Sequence, residues 1–276
     1  MNEFGKQCVR LRRQDHSLLE IVRITGKGKS SVYPYIKNIP LSEKRMAATY
    51  NANKLHLHRI AAARKGKSLR NFKKFESWGK ETTLLVSHLL FDGEISRASC
   101  IYNNRSTALI ERVRNSMGAI YEFKPKEYTN LKTGVARISY HNVALANYLK
   151  NKSEDLLIKA PNLQRELKRE FLRAFFDDEG CMDFRPNTNA RRVRGYQKDI
   201  NILKLVSSLL SDFGIKSNFQ KPNEVVISGK ENLLKFQKEI NFSPGVFING
   251  NRTNSIWKKH LEKRDLLGRA ISSFKV

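Results

Sequence analysis

Two stretches of this chain share almost the same hydrophobic profile. LLVSHLLFDG, residues 84–93, and FLRAFFDDEG, residues 171–180, are apolar runs with the length and density of a buried helix. Each closes on a carboxylate followed at once by glycine, Asp92-Gly93 in one and Glu179-Gly180 in the other. The segments downstream of the two runs are also alike. A strand-like stretch leads to an amphipathic helix, from Tyr102 in one copy and Tyr196 in the other. A second strand pair then precedes another helix, from Val135 and from Glu224, with Ser139 aligned to Ser228. The pattern predicts a unit of helix, two strands, helix, two strands and helix, used twice in an α+β fold. The acids are too far apart for one helix to carry both, so a duplication that brings them together accounts for them. Small residues inside the runs, Ser87 and Ala174, predict a close crossing of the two helices. The glycine after each acid predicts a left-handed cap from which the chain turns directly into a strand.

Ahead of the repeats, SLLEIVRITGKGKSSVYPYIKNIP, Ser17 to Pro40, reads as two short helices about a turn at Gly26. Ser17 caps the first, whose Leu18, Ile21, Val22 and Ile24 are expected to face inward, and Ser30 or Ser31 starts the second. Residues 1–41 thus resemble helix-turn-helix domains of the resolvase and regulator type, in which the second helix enters the major groove. Lys27, Lys29, Ser30, Ser31, Tyr33 and Tyr35 are the groove-facing candidates, and Pro34 departs from the pattern. Residues 42–78 are polar and basic and predict a helical linker. Within it, RKGKSLRNFKKF, Arg64 to Phe75, is suited to a DNA backbone, and His56 and His58 form a pair with no further ligands nearby.

Charge narrows the class of partner. Lys and Arg number 52 against 26 acidic residues, a formal charge of +26. Self-repulsion on that scale points to a polyanion, since neutralising phosphates releases condensed counterions. The three cysteines, Cys8, Cys100 and Cys181, are scattered, which indicates neither a disulfide framework nor a zinc site. The longest apolar run is far short of the roughly 20 residues of a membrane span, and Met1 to Leu11 lacks an apolar signal core. The expectation is an intracellular, cytoplasmic protein without membrane contact.

Over residues 78–260 the chain resembles the LAGLIDADG homing endonucleases and their relatives. The second motif matches through Phe171, Ala174 and Asp178-Glu179-Gly180; the first departs at His88 and Phe91, where an aliphatic and a small residue are usual. The resemblance implies two pseudo-symmetric αββαββα repeats, 79–160 and 161–276 with a C-terminal helix, forming a DNA-binding saddle in a monomer. It implies that Asp92 and Glu179 bind Mg²⁺ or Mn²⁺ between the scissile phosphates of double-stranded DNA. Physical chemistry agrees, because carboxylates at the negative ends of two helix dipoles are unfavourable without a hard cation. Asp177 and Asp178 are possible further ligands, of which helical direction turns at least one away. Gln197 and Lys198 match a recurring catalytic Gln-Lys position, with Asn104 and Arg105 as counterparts in the first repeat; Lys230 is a further catalytic candidate opposite His141. Arg97, Arg137, Arg185, Arg191, Arg192, Arg194, Lys216 and Lys221 are the strand and loop cations expected to meet DNA, together with the loop Pro186 to Gly195.

Three functions compete at this point. The first is a metal-dependent, site-specific DNA endonuclease assisted by the N-terminal domain. The second is a DNA-binding transcription regulator on the same fold without cleavage, and the third is a maturase that binds intron RNA.

Overall fold

The structure is a computed structural model describing residues 1–64, 71–248 and 256–274, with 60–64 described by their backbone alone. The chain divides into two compact units, Met1–Leu69 and Arg70–Val276.

The first unit opens on a helix that the sequence pattern did not suggest, α1 (Glu3–Arg13). Asn2 caps it by accepting from the Gly5 amide at 2.8 Å, and Cys8 and Leu11 lie on its buried side. Helix α2 (Leu18–Thr25) starts at a Ser17/Glu20 capping box and ends at Gly26, whose φ is 66°. Helix α3 (Lys29–Ile36) contributes Val32 and Ile36 to a core shared with Cys8, Leu11 and Ile21. Ile24, expected inside, is 51% exposed because it lies nearly opposite Val22 on the helix. Tyr35 also leaves the groove-facing set: its ring packs edge-on against Phe4 at 5.7 Å. Lys27, Lys29, Ser30, Ser31 and Tyr33 are all exposed. One helix, α4 (Glu43–Arg64), comes next; the Asp15 carboxylate accepts from the Ser42 amide at 2.7 Å and Glu20 pairs with Arg45 at its start.

The basic stretch from Arg64 to Phe75 falls largely outside the described residues. Its two phenylalanines do not follow DNA: Phe72 and Phe75 pack on Tyr148 at 5.2 and 5.5 Å, inside the second unit.

That unit runs α5 (Lys80–Phe91), β1 (Gly93–Ile95), β2 (Ser99–Asn104), α6 (Thr107–Gly118), β3 (Lys126–Asn130), β4 (Val135–His141) and α7 (Val143–Lys159). The series then repeats as α8 (Arg165–Asp178), β5 (Gly180–Arg185), β6 (Ala190–Tyr196), α9 (Ile200–Asp212), β7 (Asn218–Gln220), β8 (Glu224–Ser228) and α10 (Lys230–Glu239), followed by α11 (Lys263–Ser272). Both sheets are antiparallel with the same order, β1-β2-β4-β3 and β5-β6-β8-β7. This is the duplicated α+β unit that the hydrophobic pattern predicts.

Register fixes the equivalences. Gly93 pairs with Tyr102 and Tyr102 with Ile138, while Gly180 pairs with Gly195 and Gly195 with Val225. Ser139 therefore corresponds to Val226, not to Ser228, and His141 is not the counterpart of Lys230. Along each strand one face packs on the helices through residues such as Cys100, Tyr102, Ile138, Met182, Val193 and Val225, all buried. The opposite face is left open. No described helix is long and apolar enough to cross a membrane.

Helices α5 and α8 cross at the centre, where Ser87 and Ala174 are fully buried. Gly93 and Gly180 do not adopt the left-handed cap expected of them; neither is among the residues with positive φ. Their role is close approach. A Cβ at either would overlap the carbonyl oxygen four residues back, of Leu89 or of Phe176.

Candidate active site

Asp92 and Glu179 end their helices in the same conformation, with φ and ψ of −100° and 1° and of −101° and −6°. Their amides close the last turns onto the carbonyls of His88 and Phe175, at 3.2 and 2.8 Å. Both acids line a cleft of about 960 Å³ that also takes Asn103 and Val135 from the first sheet and Asp183 and Arg185 from the second. The Asp92 carboxyl is pushed up to about 7, first by burial and then by Asp178, against the pull of Lys263, His88 and Asn104. Glu179 is also pushed up to about 7, by burial, then by the charge of Asp92, then by Asp178. The fold thus brings the duplicated acids close enough to repel. Asp92 is anchored by Asn104, whose Nδ2 donates to Oδ2 at 2.7 Å, whereas no described side chain hydrogen-bonds the Glu179 carboxylate.

The two departures of the first motif are accounted for by the second. Phe91 packs edge-on against Phe171 and Phe175 at 5.4 and 5.2 Å. The symmetry-related position is Asp178, and its Oδ2 lies 2.8 Å from His88 Nδ1, both side chains fully buried. One side of the crossing is aromatic and the other is a buried polar pair, so each departure has its complement. Tyr102 Oη donates to Asp178 Oδ1 at 2.6 Å, and Asn104 Nδ2 reaches Tyr102 Oη at 3.2 Å. An unbroken chain of contacts therefore runs from His88 through Asp178, Tyr102 and Asn104 to Asp92.

These contacts remove the two extra ligand candidates. Both oxygens of Asp178 are occupied, and Asp177 accepts from the Ser243 amide at 2.9 Å and from Arg112 Nη1 at 3.2 Å. Lys263, which no sequence motif singles out, is buried at the start of α11. Its Nζ donates to the carbonyls of Asp177 and Gly180, each at 2.7 Å, and of Phe176 at 3.3 Å. An ammonium thus satisfies the open C-terminus of α8 and faces the acids. Burial lowers its pKa, while Asp177, Cys181, Asp178 and Asp92 act to raise it.

The other candidates divide. Asn104 is a partner of Asp92 and Tyr102 rather than a free DNA contact, and Arg105, at the cleft, donates through Nε to the Thr133 carbonyl at 2.9 Å. Gln197 and Lys198 do stand in register with Asn104 and Arg105, but neither lines the cleft; the Gln197 amide oxygen accepts from the Lys198 backbone at 2.8 Å. Lys230 is misplaced as a catalytic group. It follows Ser228, which sits across from Arg192, so it lies at the far end of β8 from the strand positions beside Glu179. At about 3.3 Å per residue that is well over 10 Å away. Arg191 is corrected as well: its position in β6 faces the helices, where Nε donates to Ser273 Oγ at 2.6 Å and the guanidinium covers the Phe274 ring. Arg137, Arg185, Arg192 and Arg194 occupy open-face positions, and Arg97, Lys216 and Lys221 are exposed in loops.

A hard divalent cation fits two half-buried carboxylates that repel each other and lack a neutralising ion pair. Among the described residues no group of three His, Cys, Asp or Glu side chains gathers as a metal cage, so such a cation would take its remaining ligands from water or substrate.

The family described as LAGLIDADG-like domain matches residues 166–241, from α8 to just past α10. No curated protein matches the chain. Among solved structures it is similar to full-length DUF199/WhiA from Thermatoga maritima, with 17% identity and a TM-score of 0.48 over 74% of this chain and 64% of that one. It is also similar to the homing endonuclease I-DmoI in complex with DNA and Ca, with 15% identity and a TM-score of 0.43 over 60% of this chain and 91% of that one.

Proposed function

We propose that this chain, which carries a LAGLIDADG-like domain, binds double-stranded DNA across the open faces of its two sheets and hydrolyses a phosphodiester in each strand. Asp92 and Glu179 would hold Mg²⁺ or Mn²⁺. The observation that carries this reading is the pair itself: two duplicated acids, each raised to about 7, lining one cleft together with residues of both sheets. A divalent cation bound there supplies charge for the phosphoryl oxygens and an acidified water. Asn104 fixes the Asp92 carboxylate. Lys263 keeps positive charge behind both acids, and Arg105 stands at the cleft for a phosphate. Two repeats in one chain supply both acids, so a monomer suffices, and the exposed Lys27, Lys29, Ser30, Ser31 and Tyr33 of the N-terminal unit would add hold on the duplex in helix-turn-helix fashion.

A cleavage selection on randomised duplex DNA with Mg²⁺ or Mn²⁺ tests the reading. Asp92→Asn and Glu179→Gln are each expected to abolish cutting while leaving DNA affinity within about tenfold, because phosphate contacts remain. Undiminished cutting by the double variant would refute the assignment. One observation favours the regulator instead: the Gly180 carbonyl beside Glu179 is already taken by the Lys263 ammonium, a cation fixed by the protein itself. Tight binding to a defined sequence without cleavage, in wild type and variants alike, decides for that reading.

A further inference from the structure

The arginines on the open face of the second sheet are not equivalent, and their hydrogen bonds sort them. Asp183 is the hub. It lies directly across from Arg192 in the β5–β6 ladder, and its side chain is only 8% exposed. Its Oδ1 accepts from Arg185 Nε at 3.0 Å and its Oδ2 from Arg192 Nε at 2.9 Å. Both bonds use the inner nitrogen of the guanidinium. The paired outer nitrogens are left over: those of Arg185 meet no described acceptor, and Arg192 Nη1 makes only a 3.5 Å contact with Gln220. Arg194 differs, because Glu224 takes both its Nε and its Nη2.

Two forks with their stems held by a buried carboxylate have lost much of the rotamer freedom that a surface arginine gives up on binding. Their outer edges match the O6 and N7 acceptors of guanine in the major groove. The charge balance argues against phosphate as the target. Arg185, Arg192 and Arg194 share Asp183 and Glu224, so most of their charge is already neutralised and little counterion release remains to be gained. A neutral base edge carries no such requirement. The first repeat has no equivalent, since Ser96 stands where Asp183 would be.

We infer that Arg185 and Arg192, oriented by Asp183, read guanines in the half of the target that lies on the second sheet, making that half-site guanine-dependent and the whole target asymmetric. This rests on the DNA-binding part of the function proposed above and not on cleavage. The test is selection of bound duplexes from a randomised pool with the full chain, followed by binding assays on single-base variants. Wild type is expected to enrich guanine at neighbouring positions of one half-site. Arg185→Lys and Arg192→Lys, which keep the charge but lose the fork, should each cut the preference for one guanine by roughly tenfold. Asp183→Asn should flatten the guanine preference while non-specific affinity stays equal or rises, because a negative charge leaves the face. Enrichment without guanine dependence on these arginines, or an Asp183→Asn profile like wild type, overturns the inference alone. Failure of the wild-type chain to bind any duplex overturns it together with the proposed function.

Discussion

Replacing Asp92 with asparagine should stabilise the metal-free protein, and only at neutral to alkaline pH. In the fold this carboxyl is raised from its ordinary 3.8 to about 7. The native state therefore keeps a proton that the unfolded chain releases, so stability falls as pH rises through that window and the whole cost is present above about 7. At about 1.4 kcal/mol per unit the rise is worth roughly 4 kcal/mol, which partial solvent contact reduces to about 2 kcal/mol. Asparagine removes the charge and keeps an oxygen for the Asn104 amide. It also relieves Glu179, for which Asp92 is the largest cause after burial. For a unit of this size the gain corresponds to about 4–8 °C in Tm near pH 8, vanishing near pH 4. Both tryptophans, Trp78 and Trp257, lie in the second unit, so fluorescence melts in chelator follow that unit alone. Mn²⁺ added near pH 8 should raise the wild-type Tm and leave Asp92→Asn little changed, with a smaller wild-type effect near pH 5 where protons compete. A variant no more stable than wild type near pH 8, or equally stabilised near pH 4, would refute the reasoning.

His88→Ala leaves the buried Asp178 Oδ2 in the helix crossing without its partner while Tyr102 still holds Oδ1, and should cost about 1–3 kcal/mol in urea unfolding. Joint replacement of His88 and Asp178 by leucine should recover only part of that loss, since an apolar pair fills the crossing but leaves the buried Tyr102 hydroxyl without its Asp178 acceptor. Gly180→Ala forces a Cβ into the Phe176 carbonyl; it should destabilise the unit by about 1–3 kcal/mol and, by displacing Glu179, remove the cleavage proposed above, both measurable on one preparation. Duplex affinity should fall steeply with salt, on the order of 10³-fold or more between 50 and 200 mM if roughly 6–10 phosphates are contacted, and a flat response would exclude phosphate binding.

Local order in the chain announces local structure. Apolar runs ending in acid-glycine predict α5 and α8, and the segments after them predict the αββαββα series, because helix and strand periods are written in consecutive residues. The +26 charge is likewise open to inspection, and Lys27, Lys29, Ser30, Ser31 and Tyr33, singled out in the sequence, are exposed in the fold. Helix α1 escapes notice although Phe4, Cys8 and Leu11 carry its period, and matching Ser139 to Ser228 puts the strand register off by two positions, because two serines at a strand end are a weaker marker than the pairing that sets Ser139 against Val226.

Long-range pairing has no such signature. Lys263 sits in an ordinary amphipathic helix, and nothing nearby in sequence says that its ammonium will close the end of α8. His88 and Phe91 read as defects of one motif until the crossing sets them against Asp178 and Phe175. Arg191 and Arg192 are neighbours with the same chemistry, yet the pleat sends one to Ser273 beneath the sheet and the other to Asp183 on its open face. The order of residues alone establishes which elements form, that they occur twice, and that each copy ends in an acid. Which charges are spent on the fold and which remain for a ligand is settled in three dimensions, because that depends on burial and on partners far along the chain.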